Sequence, residues 1–200
     1  MNASFASPKA VTLLSRITGQ VLRPQDLSPL AIFLATLISV LLGVITIDRA
    51  IVAEERQRLQ KTLEAFMPPD SRVHQLTQRL ISGVYQQQVY LNPQEMLLLA
   101  EPLSESERLL IVSLGYEISA ADGTMDFREK MYLQSIGQRL SLDARHLEVL
   151  EAGFTQQTVT DSEVLYAVRH LLAPAQFRAL DVVFVKVANH ILMALPELSV

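Results

Sequence analysis

Apolar residues recur at helical spacing along most of the chain, and polar clusters separate these apolar runs. Residues three or four apart lie on one face of an α-helix, so this spacing predicts amphipathic helices. Two alternating apolar segments around a Gly-Asn type turn, which would indicate a β-hairpin, do not occur in the sequence. We therefore predict an all-α protein, a compact bundle of about eight or nine helices.

Short polar motifs mark where the predicted helices begin. Asn92 followed by Pro93 is typical of an N-cap with proline at the first helical position. In a capping box, a Ser, Thr or Asp and a Glu three residues later cap each other's backbone N–H groups. Such boxes are predicted for Ser104 with Glu107, Asp126 with Glu129 and Thr160 with Glu163, and Ser141 is predicted to cap the helix that follows it.

The segment Leu30–Ile47 is uncharged and almost wholly apolar. About 20 apolar residues suffice to cross a bilayer, so its length fits a membrane span. A helix at the centre of a bundle is also apolar on every side, because other helices surround it. Arginines occur on both sides of the segment and do not distinguish the two. The residues thus leave open a buried helix and a membrane span.

The first 27 residues form a basic segment. Lys9, Arg16 and Arg23 precede the first acid, Asp26, and apolar residues between them recur at helical spacing. One interpretation is a basic amphipathic helix that contacts a membrane surface, and the other is a loosely packed N-terminal extension.

Composition excludes several functional classes. The chain has no cysteine, which rules out thiolate catalysis, Cys-zinc sites and disulfides. Its net charge of −4 provides no general attraction for nucleic acid. Motifs of hydrolases, phosphate loops, dinucleotide-binding folds and zinc proteases are absent from the sequence, and it suggests no small-molecule substrate. We expect a non-enzymatic, cytoplasmic protein, and membrane association through Leu30–Ile47 or the basic N-terminal segment stays open. The dispersed histidines are interpreted as helix residues rather than ligands: His74, His146, His170 and His190.

An internal repeat connects two parts of the chain. Asp48 and Asp122 are 74 residues apart, and each follows a long apolar helix. A Glu comes seven residues after each Asp, at Glu55 and Glu129, and a helix continues beyond it. This pattern predicts two helix-turn-helix units built on the same plan.

The repeated acids have a chemical interpretation. An Asp that ends one helix and a Glu in the first turn of the next can converge across a tight turn. Two such units facing each other would collect four carboxylates, which repel one another unless a hard divalent cation such as Ca²⁺ or Mg²⁺ binds them. The alternative is that Asp126 and Glu129 only cap a helix. The candidate metal ligands are Asp48, Glu55, Asp122 and Glu129.

The stretch "SAADGTMDFREKMYLQSIGQRLSL" resembles the second repeat of TerB-like domains, which are associated with tellurite resistance and stress response. The matching residues are Ala121, Asp122 and Gly123, then Met125 and Glu129. The first repeat of these domains is similar to "VITIDRAIVAEERQRL", with Asp48 and either Glu54 or Glu55 as the acids and Arg49 in place of the family's glycine.

This resemblance implies a compact helical bundle with clustered acids proposed to bind metal, no established enzymatic reaction, and a role linked to stress and the membrane. It also implies that Leu30–Ile47 is a bundle helix. We accordingly divide the chain into an extension at 1–27, a TerB-like domain at 28–155 and a C-terminal helical extension at 156–200. The expected function is a divalent-metal-binding module that interacts with partner proteins. The alternative is a scaffold or assembly factor, anchored in a membrane through Leu30–Ile47, with a metal-free acidic turn.

Overall fold

The computed structural model confirms the all-α fold and describes residues 6–47, 53–66, 71–120, 125–159, 161–177 and 182–196. These residues form ten α-helices, one more than the upper number predicted. Short 3₁₀ helices occur at Pro24–Asp26, Val89–Leu91 and Pro174–Phe177. The α-helices are α1 (Pro8–Thr18), α2 (Pro29–Thr46), α3 (Ala53–Ala65), α4 (Ser71–Gln86), α5 (Pro93–Ala100), α6 (Glu105–Ser119), α7 (Phe127–Arg139), α8 (Ala144–Phe154), α9 (Ser162–Leu171) and α10 (Val182–Ala194).

Helix α2 lies at the centre of the bundle. It packs against α4, α5, α6 and α7, and every residue from 31 to 45 is buried. Its hydroxyl groups are satisfied within the helix, since Thr36 donates to the carbonyl of Ile32 and Ser39 to that of Ala35. Among the described residues, α2 is the one helix long and apolar enough to cross a membrane. Its enclosure favours the buried interpretation of this segment.

Helix α1 belongs to the same core. Ser7 caps it, and its apolar face, with Leu14 and Ile17, is buried where the helix packs against α4 and α5. A Cβ atom at Gly83 of α4 would lie 1.8 Å from the carbonyl oxygen of Ile17, so glycine is what allows this backbone approach. The N-terminal segment is thus packed through its helix rather than loosely attached.

The internal repeat is present in the helix boundaries. Ala65 and Arg139, which end α3 and α7, are 74 residues apart, the same offset as in the sequence repeat. Each of these helices packs on both α2 and α6, so the two units interlock. The buried Ser113 of α6 donates to the carbonyl four residues earlier, as its counterpart does in α2.

The C-terminal helices pack onto this frame. Helix α9 contacts α8, and α10 contacts α6. Four aromatic rings join α10 and the preceding 3₁₀ helix to α2 and α3, with ring centroids 4.6–6.5 Å apart. Such tilted and edge-on contacts add to the burial energy of the rings. The rings belong to Phe33, Phe66, Phe177 and Phe184.

Two predicted caps need correction. Asp161 is the N-cap of α9 and accepts hydrogen bonds from the N–H groups of Glu163 and Val164. Glu163 is therefore the second residue of the helix, one position short of the capping-box place, and the predicted partner Thr160 lies outside the described residues. Similarly Asp143, rather than Ser141, caps α8. In both cases a nearby Asp has the extended backbone that an N-cap needs.

Candidate functional site

The start of α7 is the described part of the predicted acidic site. Asp126 is the N-cap, and its carboxylate accepts the N–H of Arg128 at 2.7 Å. The carboxylate of Glu129 reaches back to the N–H of Asp126 at 3.2 Å. Asp126 therefore has a structural role as a cap, and its bond to Glu129 fixes the direction in which that side chain runs.

Glu129 is buried although it is an acid, with 4% of its surface exposed. A carboxylate out of contact with water needs charged or hydrogen-bonding partners, of which the Asp126 N–H is one. The helix N-terminus also favours its negative charge. A carboxylate has about four acceptor positions, so a capping glutamate can bind a cation at the same time.

The other predicted ligands are only partly placed. Asp48 and Asp122 lie outside the described residues, and Glu55 belongs to α3 with a side chain outside the described part. Glu129 is the third residue of α7, and Glu55, 74 residues earlier, belongs to the equivalent helix α3. Within the described part of the chain, no three His, Asp or Glu side chains form a group that could hold a metal ion.

A second capping box lies at the other end of the bundle helix α6. The hydroxyl oxygen of Ser104 accepts the N–H of Glu107, and the backbone N–H of Ser104 donates to the Glu107 carboxylate at 2.8 Å. Glu107 is also buried, at 6% exposure, and also occupies the third helical position. Glu107 is thus a buried capping glutamate that is not one of the repeated acids, and it can serve as a control for Glu129.

Two tyrosines with buried hydroxyl groups lie in α6 and α7. The hydroxyl groups of Tyr116 and Tyr132 have no hydrogen-bond partner among the described residues. Burial raises the pKa of both phenols, and the charge of Glu151 raises that of Tyr116 further. Both rings therefore remain neutral at physiological pH and are unsuited to act as anionic ligands.

A cleft that the sequence did not indicate lies between α3, α6 and α10. Its volume is about 590 Å³, and its titratable lining residues are Lys61, Glu117, Lys186 and His190. These residues come from three helices far apart along the chain, and no short motif links them. A single sequence therefore carries no signal for the cleft.

The model of the tellurite resistance protein TerB family matches residues 34–152, which is more than half of the chain. The match runs from the first half of α2 into α8 and leaves α1, α9 and α10 outside it. Comparisons with curated proteins and with solved structures found no significant match. The all-α fold agrees with this assignment. The chain therefore belongs to the tellurite resistance protein TerB family.

Proposed function

We propose that this protein is a non-catalytic TerB-family module that binds a divalent cation, Ca²⁺ or Mg²⁺, at its repeated acidic turns. The observation that carries the proposal is the buried Glu129, held by its capping box in the first turn of α7. The repeat gives Glu55 the equivalent place in α3. Asp48 and Asp122 would complete the ligand set.

The donor chemistry fits a hard cation. All four candidate ligands are carboxylates, and Ca²⁺ and Mg²⁺ prefer oxygen ligands. A cation near Glu129 would also offset the electrostatic cost of burying its charge. The capping hydrogen bond restricts the rotamers of the side chain, which lowers the entropy lost when a ligand atom is fixed.

A binding role is preferred to catalysis because TerB is a family of non-enzymatic helical domains. A non-catalytic module can affect other proteins on binding a cation only if the cation changes its affinity for them. We therefore propose a stress-response role through partner proteins in the cytoplasm. The enclosure of α2 by four helices supports a packed helix over a membrane anchor. Carbonate-resistant sedimentation with membranes would argue for the anchor.

Thermal unfolding with added Ca²⁺, Mg²⁺ or chelator tests the cation proposal. A ligand that binds only the folded state at ten times its dissociation constant adds about 1.4 kcal/mol, or roughly 3–6 °C in Tm for a chain of this size. We expect this increase for the natural protein and its loss in the double variant Asp122→Ala with Glu129→Ala.

A matched control separates cation binding from helix capping. Glu107→Gln removes the charge of a buried capping glutamate at the start of α6 and should leave the ion-induced increase intact. Glu129→Gln should remove it. An equal response of both variants to the ions, or no response of the natural protein, would refute the proposal.

A further inference from the structure

The cleft between α3, α6 and α10 combines an apolar lining with cationic side chains. Leu114 and Ile118 of α6 and Val187 of α10 supply the apolar part. Lys61 of α3 and Lys186 of α10 supply positive charge from the two helices that pack on α6. A ligand in this cleft would therefore meet hydrocarbon and ammonium groups together.

The charge in the cleft is positive although the chain as a whole is negative. His190 of α10 pairs with Glu117 of α6, and Glu117 is the one acid among the described lining residues. Lys61 and Lys186 are exposed and take part in no ion pair among the described residues. The lysines therefore leave an electrostatic preference for an anion.

The helices that line the cleft are held by the buried aromatic rings. Phe66 follows the last residue of α3, and Phe184 lies in the first turn of α10. Their ring centroids are 5.5 Å apart, and both rings are almost fully buried. Phe66 directly follows the lining residue Ala65, and Phe184 lies two residues before the lining residue Lys186. These buried rings therefore restrain two walls of the cleft, which reduces the entropic cost of binding.

The cleft is not a feature of the matched family region alone. Helices α3 and α6 belong to the residues that match the TerB family, whereas α10 lies outside the match. The C-terminal extension thus creates one wall of the cleft and one of its two lysines.

We propose that this cleft binds a small amphiphilic carboxylate, a medium-chain fatty acid anion, with its head group between Lys61 and Lys186 and its alkyl chain along Leu114, Ile118 and Val187. A volume of about 590 Å³ falls within the range of small-molecule sites. A protein partner would need a contact of about 800 Å² on each side, far more than the cleft offers. The described lining contains no Phe, Tyr or Trp on which a nucleic-acid base would stack.

Titration of sodium decanoate into the full chain, followed by methyl NMR below the micelle concentration, tests the proposal. We expect saturable shifts at the methyl groups of Leu114, Ile118 and Val187. The double variant Lys61→Gln with Lys186→Gln should weaken binding at least tenfold. Lys9→Gln, which removes an exposed lysine of α1, should leave binding unchanged. Decanol, which has the same chain without the charge, should bind at least tenfold more weakly than decanoate.

Shifts that do not saturate, equal affinity for decanol, or an unchanged affinity in the double lysine variant would overturn the proposal. The lysine substitutions are at exposed positions and leave the aromatic core intact. The proposal is independent of the cation site, since none of its residues belongs to the acidic turns. Glu129→Gln is therefore expected to bind decanoate as the natural protein does.

Discussion

The two repeated units, α2 with α3 and α6 with α7, share a backbone plan but anchor different neighbours. Leu59 and Leu133 are equivalent in the repeat and both are buried, as are Phe66 and Leu140. The ring of Phe66 joins the aromatic cluster that secures α10. Leu140 has no ring, and helix α8 follows it closely along the chain.

A second pair of equivalent positions shows why the two units pack against different helices. Leu63 of α3 is a large buried residue, whereas its counterpart in α7 is Gly137. A Cβ atom at Gly137 would lie 2.6 Å from both terminal carbons of Leu147 in α8. The glycine thus makes room for a side chain of the next helix. The two units share the same helical arrangement, and single residue differences between them determine which helix packs against each unit.

The largest expected effect comes from the aromatic anchor. Phe66→Ala should lower the free energy of unfolding by about 3–5 kcal/mol, since truncating a buried Phe removes its burial and leaves a cavity. The equivalent change Leu140→Ala should cost less, toward the lower end of the range of about 2–5 kcal/mol for Leu→Ala changes, because no aromatic contacts are lost. Urea denaturation of both variants measures the difference, provided that unfolding is two-state. An equal cost would mean that the aromatic contacts add nothing to the burial of an ordinary side chain.

A smaller effect tests the glycine contact. Gly137→Leu, which gives α7 the residue of α3, should cost about 1–3 kcal/mol because the new side chain enters the space of Leu147. Combining it with Leu147→Ala should cost less than the sum of the two single changes, as expected for residues in direct contact. Additive costs in the double-mutant cycle would contradict a steric conflict between these two positions.

Much of this frame follows from local sequence rules. The helical spacing gave the all-α class, and Asn92 with Pro93 marked the start of α5 where the structure has it. The offset of 74 residues between the acids also relates the ends of α3 and α7, because the repeat extends beyond the acidic motif along these helices. Cap positions were less certain, as at Asp143 and Asp161, since several adjacent polar residues can cap and the backbone conformation selects one.

Other features depend on contacts between distant residues. The apolar pattern of α2 is the same whether lipid or protein surrounds it, so the pattern left its environment open. The cleft joins Lys61, Glu117 and Lys186, which only the packed helices bring together. Of the predicted metal ligands, the described side chains include Glu129 alone, so the repeat remains the main argument for a two-sided site.

A modest effect is expected at the cap of the second unit. Asp126→Ala should reduce stability by about 1 kcal/mol, because the N–H of Arg128 loses its acceptor. The corresponding fall in Tm is about 2–4 °C for a chain of this size. Asp126→Asn should retain most of the stability, since Asn caps helices nearly as well as Asp. If Asn were as harmful as Ala, the charge of Asp126 would matter more than its capping hydrogen bond.

The smallest expected effect compares the two halves of the proposed cation site. Arg49 adjoins Asp48 where TerB-like domains have glycine, and its positive charge should weaken the contribution of the first half. We expect Glu129→Gln to abolish the ion-induced rise in Tm, and Glu55→Gln to weaken Ca²⁺ or Mg²⁺ binding less than tenfold, or by less than about 1.4 kcal/mol. Arg49→Gly should strengthen binding, because it removes the opposing charge. If Glu55→Gln reduced the ion-induced rise in Tm as much as Glu129→Gln does, both turns would contribute equally to cation binding, and Arg49 would not weaken the first half.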